Sequence, residues 1–158
     1  MTVGLRLDPI PVFNFLVQLI ETDGSLRSVA SFSECSGLES TLEVEEYLEG
    51  GVNVRVHKFP SRFSFGNLSL KRGITLDPTL RVWHLNLMQG NTQRRNGIVV
   101  LLNEQRLPVL AWKFERGLPV KWSGPTLNAS SSESSIETLE IAYEHLEPFD
   151  LGRLALSL

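Results

Sequence analysis

Apolar and polar residues alternate along most of this chain, and a helical period replaces the alternation once. From Leu139 to Glu144, Leu139, Ile141 and Tyr143 fall on one side and Glu140, Ala142 and Glu144 on the other, as in a half-buried strand. Pro11 to Glu21 repeats the pattern: Phe13, Phe15, Val17 and Leu19 share a face, and Val12, Asn14, Leu16, Gln18 and Ile20 form a mixed one. Thr22-Asp-Gly-Ser25 reads as a hairpin turn, Asp-Gly supplying the positive φ that tight turns need. Ser28 to Glu34 follows as a second strand with Val29 and Phe32, and Cys35-Ser-Gly-Leu38 is expected to break it. Thr41 to Leu48 alternates again, with a phase slip at Glu45-Glu46 that predicts a bulge there. Gly50-Gly51 then opens what reads as a loop from Val52 to Phe63, carrying Arg55, His57, Lys58 and Arg62, before a β segment from Phe65 to Arg72.

The helical stretch starts at Asp77-Pro78, an N-cap acceptor followed by proline at the first helical position. Leu80, Trp83, His84 and Leu87 then recur at i, i+3, i+4 and i+7, and Gly90 ends the run. Asn91 to Gly97 reads as a polar loop. Ile98–Asn103, Val109–Arg116 and Leu118–Trp122 read as strands, with a Leu110/Trp112/Phe114 stripe facing inward, and Ser130–Ser135 as a corner. Strands joined by turns around one amphipathic helix predict a mainly β fold. The expected form is a small antiparallel β-barrel, or two packed sheets, with one α-helix at about residues 77–89.

With 158 residues the chain suits one domain with its own core, expected over residues 1–147 with a C-terminal extension at 148–158. Fifteen basic against 18 acidic residues give a net charge of −3, too weak to argue for a nucleic-acid or acidic-membrane partner. Cys35 is the single cysteine, so neither an intrachain disulfide nor a cysteine-based zinc site can form. The N-terminus lacks the pattern of a secretory signal, and the longest apolar runs fall far short of a membrane span. The expectation is a cytoplasmically made protein that does not insert into membranes by itself.

Catalytic chemistry would have to use Cys35, His57, His84, His145 and the carboxylates. Glu34-Cys35-Ser-Gly is no nucleophile signature, and Cys35 reads as a small half-buried residue at a strand end. The histidines lack metal-ligand spacing, and His84 on the apolar helix face reads as a hydrogen-bonded core or interface residue. No cofactor is expected. Glu34, Glu39, Glu43, Glu45, Glu46 and Glu49 cluster on one hairpin, whereas Arg55, Lys58, Arg62, Lys71, Arg72, Arg94 and Arg95 lie elsewhere. That reads either as a solvated strand face or as charge segregation that head-to-tail self-association could use for register.

An ordered set of motifs carries a resemblance along nearly the whole chain. It comprises Pro9-Ile-Pro-Val-Phe-Asn-Phe15, Phe32-Ser-Glu-Cys-Ser-Gly-Leu-Glu39 and Glu46-Tyr-Leu-Glu-Gly-Gly51. Pro60 ahead of Leu68-Ser-Leu-Lys-Arg-Gly73, Leu80 with Trp83, Arg94-Arg-Asn-Gly-Ile98 and the Trp112–Tyr143 stretch complete it. In this order the chain resembles the tail-tube proteins of contractile-tailed phages and phage-derived injection particles, related in fold to the tube protein of type VI secretion systems.

The resemblance implies a non-enzymatic subunit of stacked hexameric rings, forming a hollow tube inside a contractile sheath. Its implied partners are itself, the sheath protein and spike, hub or baseplate proteins, in a particle assembled in the cytoplasm. It further implies that the hairpin Leu38–Pro60 packs against the neighbouring ring. The stacking residues would be Leu38, Leu42, Glu43, Val44, Glu45, Glu46, Tyr47, Glu49, Gly50, Gly51, Arg55 and Lys58, with Arg94 and Arg95 of the next layer as partner charges. The apolar extension ending Leu-Ala-Leu-Ser-Leu158 departs from the family pattern and raises the alternative of a tube-initiating first layer on the spike hub. The alternative of another class, a ligand-binding or enzymatic β-barrel, requires a deep pocket inside one subunit.

Overall fold

The computed structural model describes residues 14–51, 55–73, 77–130 and 135–150. The expectations for Val12 and Phe13, most of the Ser130–Ser135 corner, and the extension beyond Asp150 lie outside them. The elements in chain order are β1 (Asn14–Ile20), β2 (Leu26–Phe32), β3 (Glu34–Ser36), β4 (Ser40–Leu48), β5 (Val56–Phe65) and β6 (Leu68–Gly73). Helix α1 (Thr79–Met88), β7 (Arg95–Leu102), β8 (Pro108–Ser123), β9 (Ile136–Ala142) and β10 (His145–Pro148) follow. Every ladder is antiparallel.

Strand order in the main sheet is β2-β1-β7-β8-β9-β6-β3, with β10 also on β8. The sixteen-residue β8 holds the two halves together: its first part pairs with β7 and β10, its last part with β9. The break expected after Arg116 is a kink within this one strand. Arg116 takes a left-handed φ of 55°, and its backbone N–H donates to the Asn96 side chain at 2.9 Å instead of to a ladder. The two ends of the order, β2 and β3, are successive in the chain and meet at Ser33, whose N–H donates to the Lys71 carbonyl at 2.9 Å. The sheet thus folds back over itself as two packed layers, without closing into an evenly hydrogen-bonded barrel. Cys35 does not end the second strand as expected; it lies within β3, paired with Leu70.

The core fills the space between the layers. Val17 and Leu19 of β1, Leu68 and Leu70 of β6, Val99, Phe114, Leu139 and Ile141 are buried there, capped by Leu80 and Trp83 of α1. Of the β8 stripe, Phe114 is buried, Trp112 half-buried and Leu110 exposed, because Leu110 sits beside the Asn103–Leu107 turn at the sheet's end. The mixed face of β1 is also covered: Leu16 and Ile20 pack on a second cluster of Ile98, Val100 and Ala111.

Asp77 starts the helix from one position further out than expected. Its Oδ1 accepts the Thr79 N–H at 3.1 Å and the Thr79 hydroxyl at 2.6 Å, and these bonds hold its carboxyl below the usual aspartate range. The helix is anchored by a buried charge cluster that the sequence did not reveal. Arg72 (2% exposed) donates through Nε to Glu137 (4% exposed) at 2.6 Å, and Trp122 Nε1 donates to the same carboxylate at 3.1 Å. Arg72 Nη2 also reaches the Asp77 carbonyl at 3.3 Å, tying β6 and β9 to the start of α1. Arg72, grouped by sequence with the surface bases, is therefore a core residue.

Candidate assembly interface

Cross-strand registers identify one long hairpin that leaves the body of the protein. Glu34 faces Lys71 and Ser36 faces Ser69 in the proximal part, and Ser40 faces Phe65 and Leu48 faces Val56 in the distal part. The proximal rungs belong to the main sheet through β9, whereas the distal part, Ser40–Phe65, is a two-stranded ribbon with no third strand. We call this ribbon the arm. Two expectations are corrected here. The loop expected between Val52 and Phe63 is strand from Val56 onward; it lacked an apolar alternation because no core lies behind it. The bulge expected at Glu45-Glu46 lies instead between Leu42 and Val44, opposite Ser61 and Arg62. Pro60 explains the position, since it has no N–H to donate and the ladder slips just beyond it.

The arm has two faces of different chemistry. Register places Leu42 beside Phe63, Val44 beside Pro60 and Leu48 beside Val56 on one face, interrupted by the Glu46/Lys58 pair. These apolar side chains are strongly exposed, from 39% at Leu42 to 74% at Leu48. The other face carries Glu43, Glu45 and Glu49 together with Tyr47, His57 and Phe59. The Tyr47 and Phe59 rings meet edge to face at 6.5 Å, and His57 stacks on Phe59 at 6.4 Å. Within the arm Arg62 Nε pairs with Glu43 at 2.8 Å and His57 with Glu49 at 3.1 Å. Among the described residues Glu45, Glu46, Arg55 and Lys58 make no ion pair within 4.0 Å. Gly50 and Gly51 form the exposed turn at the tip. A lone two-stranded ribbon is marginal in water, and each large apolar side chain here would gain about 1.5–3 kcal/mol on full burial.

The root of the arm is built rather than loose. Tyr143 on the core side donates its hydroxyl to the Gly37 carbonyl at 2.9 Å and reaches the Glu39 carbonyl at 3.4 Å. Burial raises the Tyr143 phenol above its ordinary value, so it stays a donor at neutral pH. Phe65 packs on Tyr143 with centroids 5.7 Å apart, and Leu38 is half-buried against the main core. Gly37 takes φ 88°, and a Cβ there would overlap the Asn67 carbonyl, so the crossing of the two strands requires glycine.

Arg94 and Arg95 lie on the body, away from the arm's own carboxylates. With Arg116 and Glu21 they line an open depression of about 420 Å³. Arg94 and Arg116 share Glu144 at 3.3 and 2.7 Å, while Arg95 lies 4.0 Å from Glu21 and over the Trp83 ring at 5.8 Å. The structure therefore brings the predicted arm residues together, Leu38 excepted, and leaves the two predicted partner charges on a separate surface of the same subunit.

The residues considered for catalysis are scattered. His84 Nδ1 bonds the Pro119 carbonyl at 2.8 Å, His145 sits beside Glu147 and Phe65, and His57 is on the arm. The Cys35 thiol is pushed up to about 12 by burial, which leaves it a poor nucleophile. The space enclosed by Phe32, Leu70, Arg72, Leu80, Trp122 and their neighbours amounts to about 10 Å³, room for one water molecule at most. No helix among the described residues is long and apolar enough to cross a membrane.

A family model for the T4-like virus tail tube protein gp19 matches residues 11–147. A chain of the anti-feeding prophage baseplate, solved by cryo-EM with sixfold symmetrisation, superposes with a TM-score of 0.80 at 33% identity, covering 91% of this chain and 97% of that one. A chain of an extracellular contractile injection system, the PVC sheath-tube complex in the extended state, gives 0.75 at 22% identity over 91% and 93%. Hcp1 from Flavobacterium johnsoniae gives 0.50 at 16% identity over 87% and 99%, a likeness of fold alone. No curated protein matches the sequence.

Proposed function

The chain belongs to the T4-like virus tail tube protein family, and from that membership we propose how its parts serve a tube. The protein is a structural subunit of the inner tube of a contractile injection system or phage tail. Residues 1–147 act as the ring-forming unit, six copies close a ring, and rings stack inside a sheath. The arm crosses from one ring to the next. There Leu42, Glu43, Val44, Glu45, Glu46, Tyr47, Glu49, Gly50, Gly51, Arg55 and Lys58 meet the neighbouring layer, and Arg94 and Arg95 receive the carboxylates. Sheath and baseplate or hub proteins are the further partners, met in a particle assembled in the cytoplasm.

One observation carries this reading: a ribbon with exposed apolar side chains projects from a body whose core it meets only at its root, through Phe65. Such a surface is stable in water only when another molecule covers it. Electron microscopy of the purified protein tests the proposal, with rings or tubes expected. A monomer under every condition, binding a small ligand inside the fold, would overturn it.

A second reading places the chain in the first tube layer above the spike hub. It is favoured by the greater identity to the baseplate chain, 33%, than to the sheath-tube chain, 22%. Copy number per particle separates the two: a single ring of subunits for the first layer, many rings for the tube body.

A further inference from the structure

Arg72 carries more donors than the protein around it engages. A guanidinium presents five N–H groups in a fixed fork. Its Nε donates to Glu137 Oε1 at 2.6 Å and its Nη2 to the Asp77 carbonyl at 3.3 Å, while Cζ lies over the Phe32 ring, 5.6 Å from the centroid. Nη1 is buried and meets no hydrogen-bond partner among the described residues. With the whole residue 2% exposed, bulk solvent does not serve it either. A charged donor shut away from both solvent and protein acceptors is strongly unfavourable in a core.

Beside the guanidinium lies the space of about 10 Å³, which matches a single water. Glu137 and Trp122 are the other polar side chains on its wall, and Phe32, Leu70, Leu80 and Leu139 close the rest with hydrocarbon. The carboxylate can take one more donor. Its two oxygens offer about four lone-pair sites, and Arg72 Nε, Trp122 Nε1 and Arg81 Nη1, at 2.6, 3.1 and 3.5 Å, use three of them.

We propose that one structural water occupies this space, accepting from Arg72 Nη1 and donating to the Glu137 carboxylate. It supplies the acceptor that the guanidinium lacks and the fourth donor that the carboxylate can receive. The charges select a neutral guest, since Arg72 and Arg81 are matched by Glu137 and Asp77 around the helix start. An anion would confront the carboxylate and a cation the guanidinium, each adding an uncompensated charge. The water thus completes a hydrogen-bonded ring joining β6 to β9, which Arg72 extends to the start of α1. Trp122 is the most exposed of the lining side chains, so exchange with solvent runs past its indole.

A map of the assembled protein at a resolution that shows ordered waters, by electron cryo-microscopy or crystallography, tests this. An isolated peak is expected about 2.5–3.2 Å from both Arg72 Nη1 and a Glu137 oxygen. No peak there in a map that shows other buried waters, or a guanidinium turned so that Nη1 bonds a protein carbonyl, would overturn the proposal. So would a peak that touches Nη1 alone and scatters anomalously after bromide replaces chloride, which marks an anion. Arg72→Met with Glu137→Leu removes both partners, and the peak should vanish from its map. A peak that persists in the double variant would be held by other groups and would equally overturn the assignment. Should the double variant not fold, the native map decides by itself.

Discussion

The Tyr143 hydroxyl donates a 2.9 Å hydrogen bond to the carbonyl oxygen of Gly37, 106 positions away in sequence. The bond joins the end of β9 to the point where the arm leaves the body, and Phe65 closes the other side of the same ring. The aim of the arm is thus set from the core.

Tyr143→Phe keeps the ring and removes the bond. A loss of about 1 kcal/mol in stability is expected, from two carbonyls deprived of a partly buried donor. Rings should still form, and stacks should become fewer or irregular. Chemical denaturation measures the first effect and negative-stain imaging the second; unaltered stacks would mean that the arm's aim does not depend on this bond.

The raised phenol pKa gives a pH dependence of defined sign. Folding favours the protonated form, so the contribution is complete below the ordinary phenol value of 10.0 and is lost as pH rises through the higher folded value. Thermal melts should fall in the native chain as pH rises from 10.0 through the folded value. They should fall less steeply in Tyr143→Phe, and parallel curves would refute the linkage.

Glu45→Lys with Glu46→Lys reverses two arm carboxylates that form no ion pair among the described residues. Fold stability should change by no more than about 0.5 kcal/mol, as at most exposed sites. Tubes should shorten or fail to form, through repetition around the ring of pairs individually worth about 0–1 kcal/mol. Tubes of normal length from this double variant would remove charge from the stacking argument.

Glu137→Gln tests the buried cluster. It leaves the Arg72 guanidinium (2% exposed) without its counter-charge, and a loss on the order of 3–5 kcal/mol is expected. Arg72→Met with Glu137→Leu removes both charges and should recover much of that loss. Equal damage from the single and double changes would show that packing, not charge, dominates the site.

The sequence made some of this legible and hid the rest for physical reasons. β1, α1 and β9 were readable because one face of each meets the core and the other meets polar surroundings, so Val17 and Leu19, Leu80 and Trp83, and Leu139 and Ile141 recur at the right periods. β5 was unreadable for the converse reason: it meets the core only through Phe65 at its end, and its Lys58-Phe-Pro-Ser-Arg62 run carries no alternation. The Arg72–Glu137 pair spans 65 positions and has no local signal, since burial turns a surface residue type into a core one only in the folded state. The arm's clustered carboxylates were visible as a group. Their division between faces follows from the alternation of β4 itself, Glu43 and Glu45 on one side and Glu46 on the other, whereas the slip beyond Pro60 decides which β5 residues share each face.

Because β3 runs on into β4 and β5 into β6 across short joints, the arm is continuous in backbone with the body's sheet. Ladder hydrogen bonds lie across the strand direction, so tension drawn along the arm acts on the β3–β6–β9 rungs sideways and together. Peeling would open those rungs one at a time, whereas this loading requires several to fail at once. If the arm links rings as proposed, load carried along it would reach the body through joints loaded in shear.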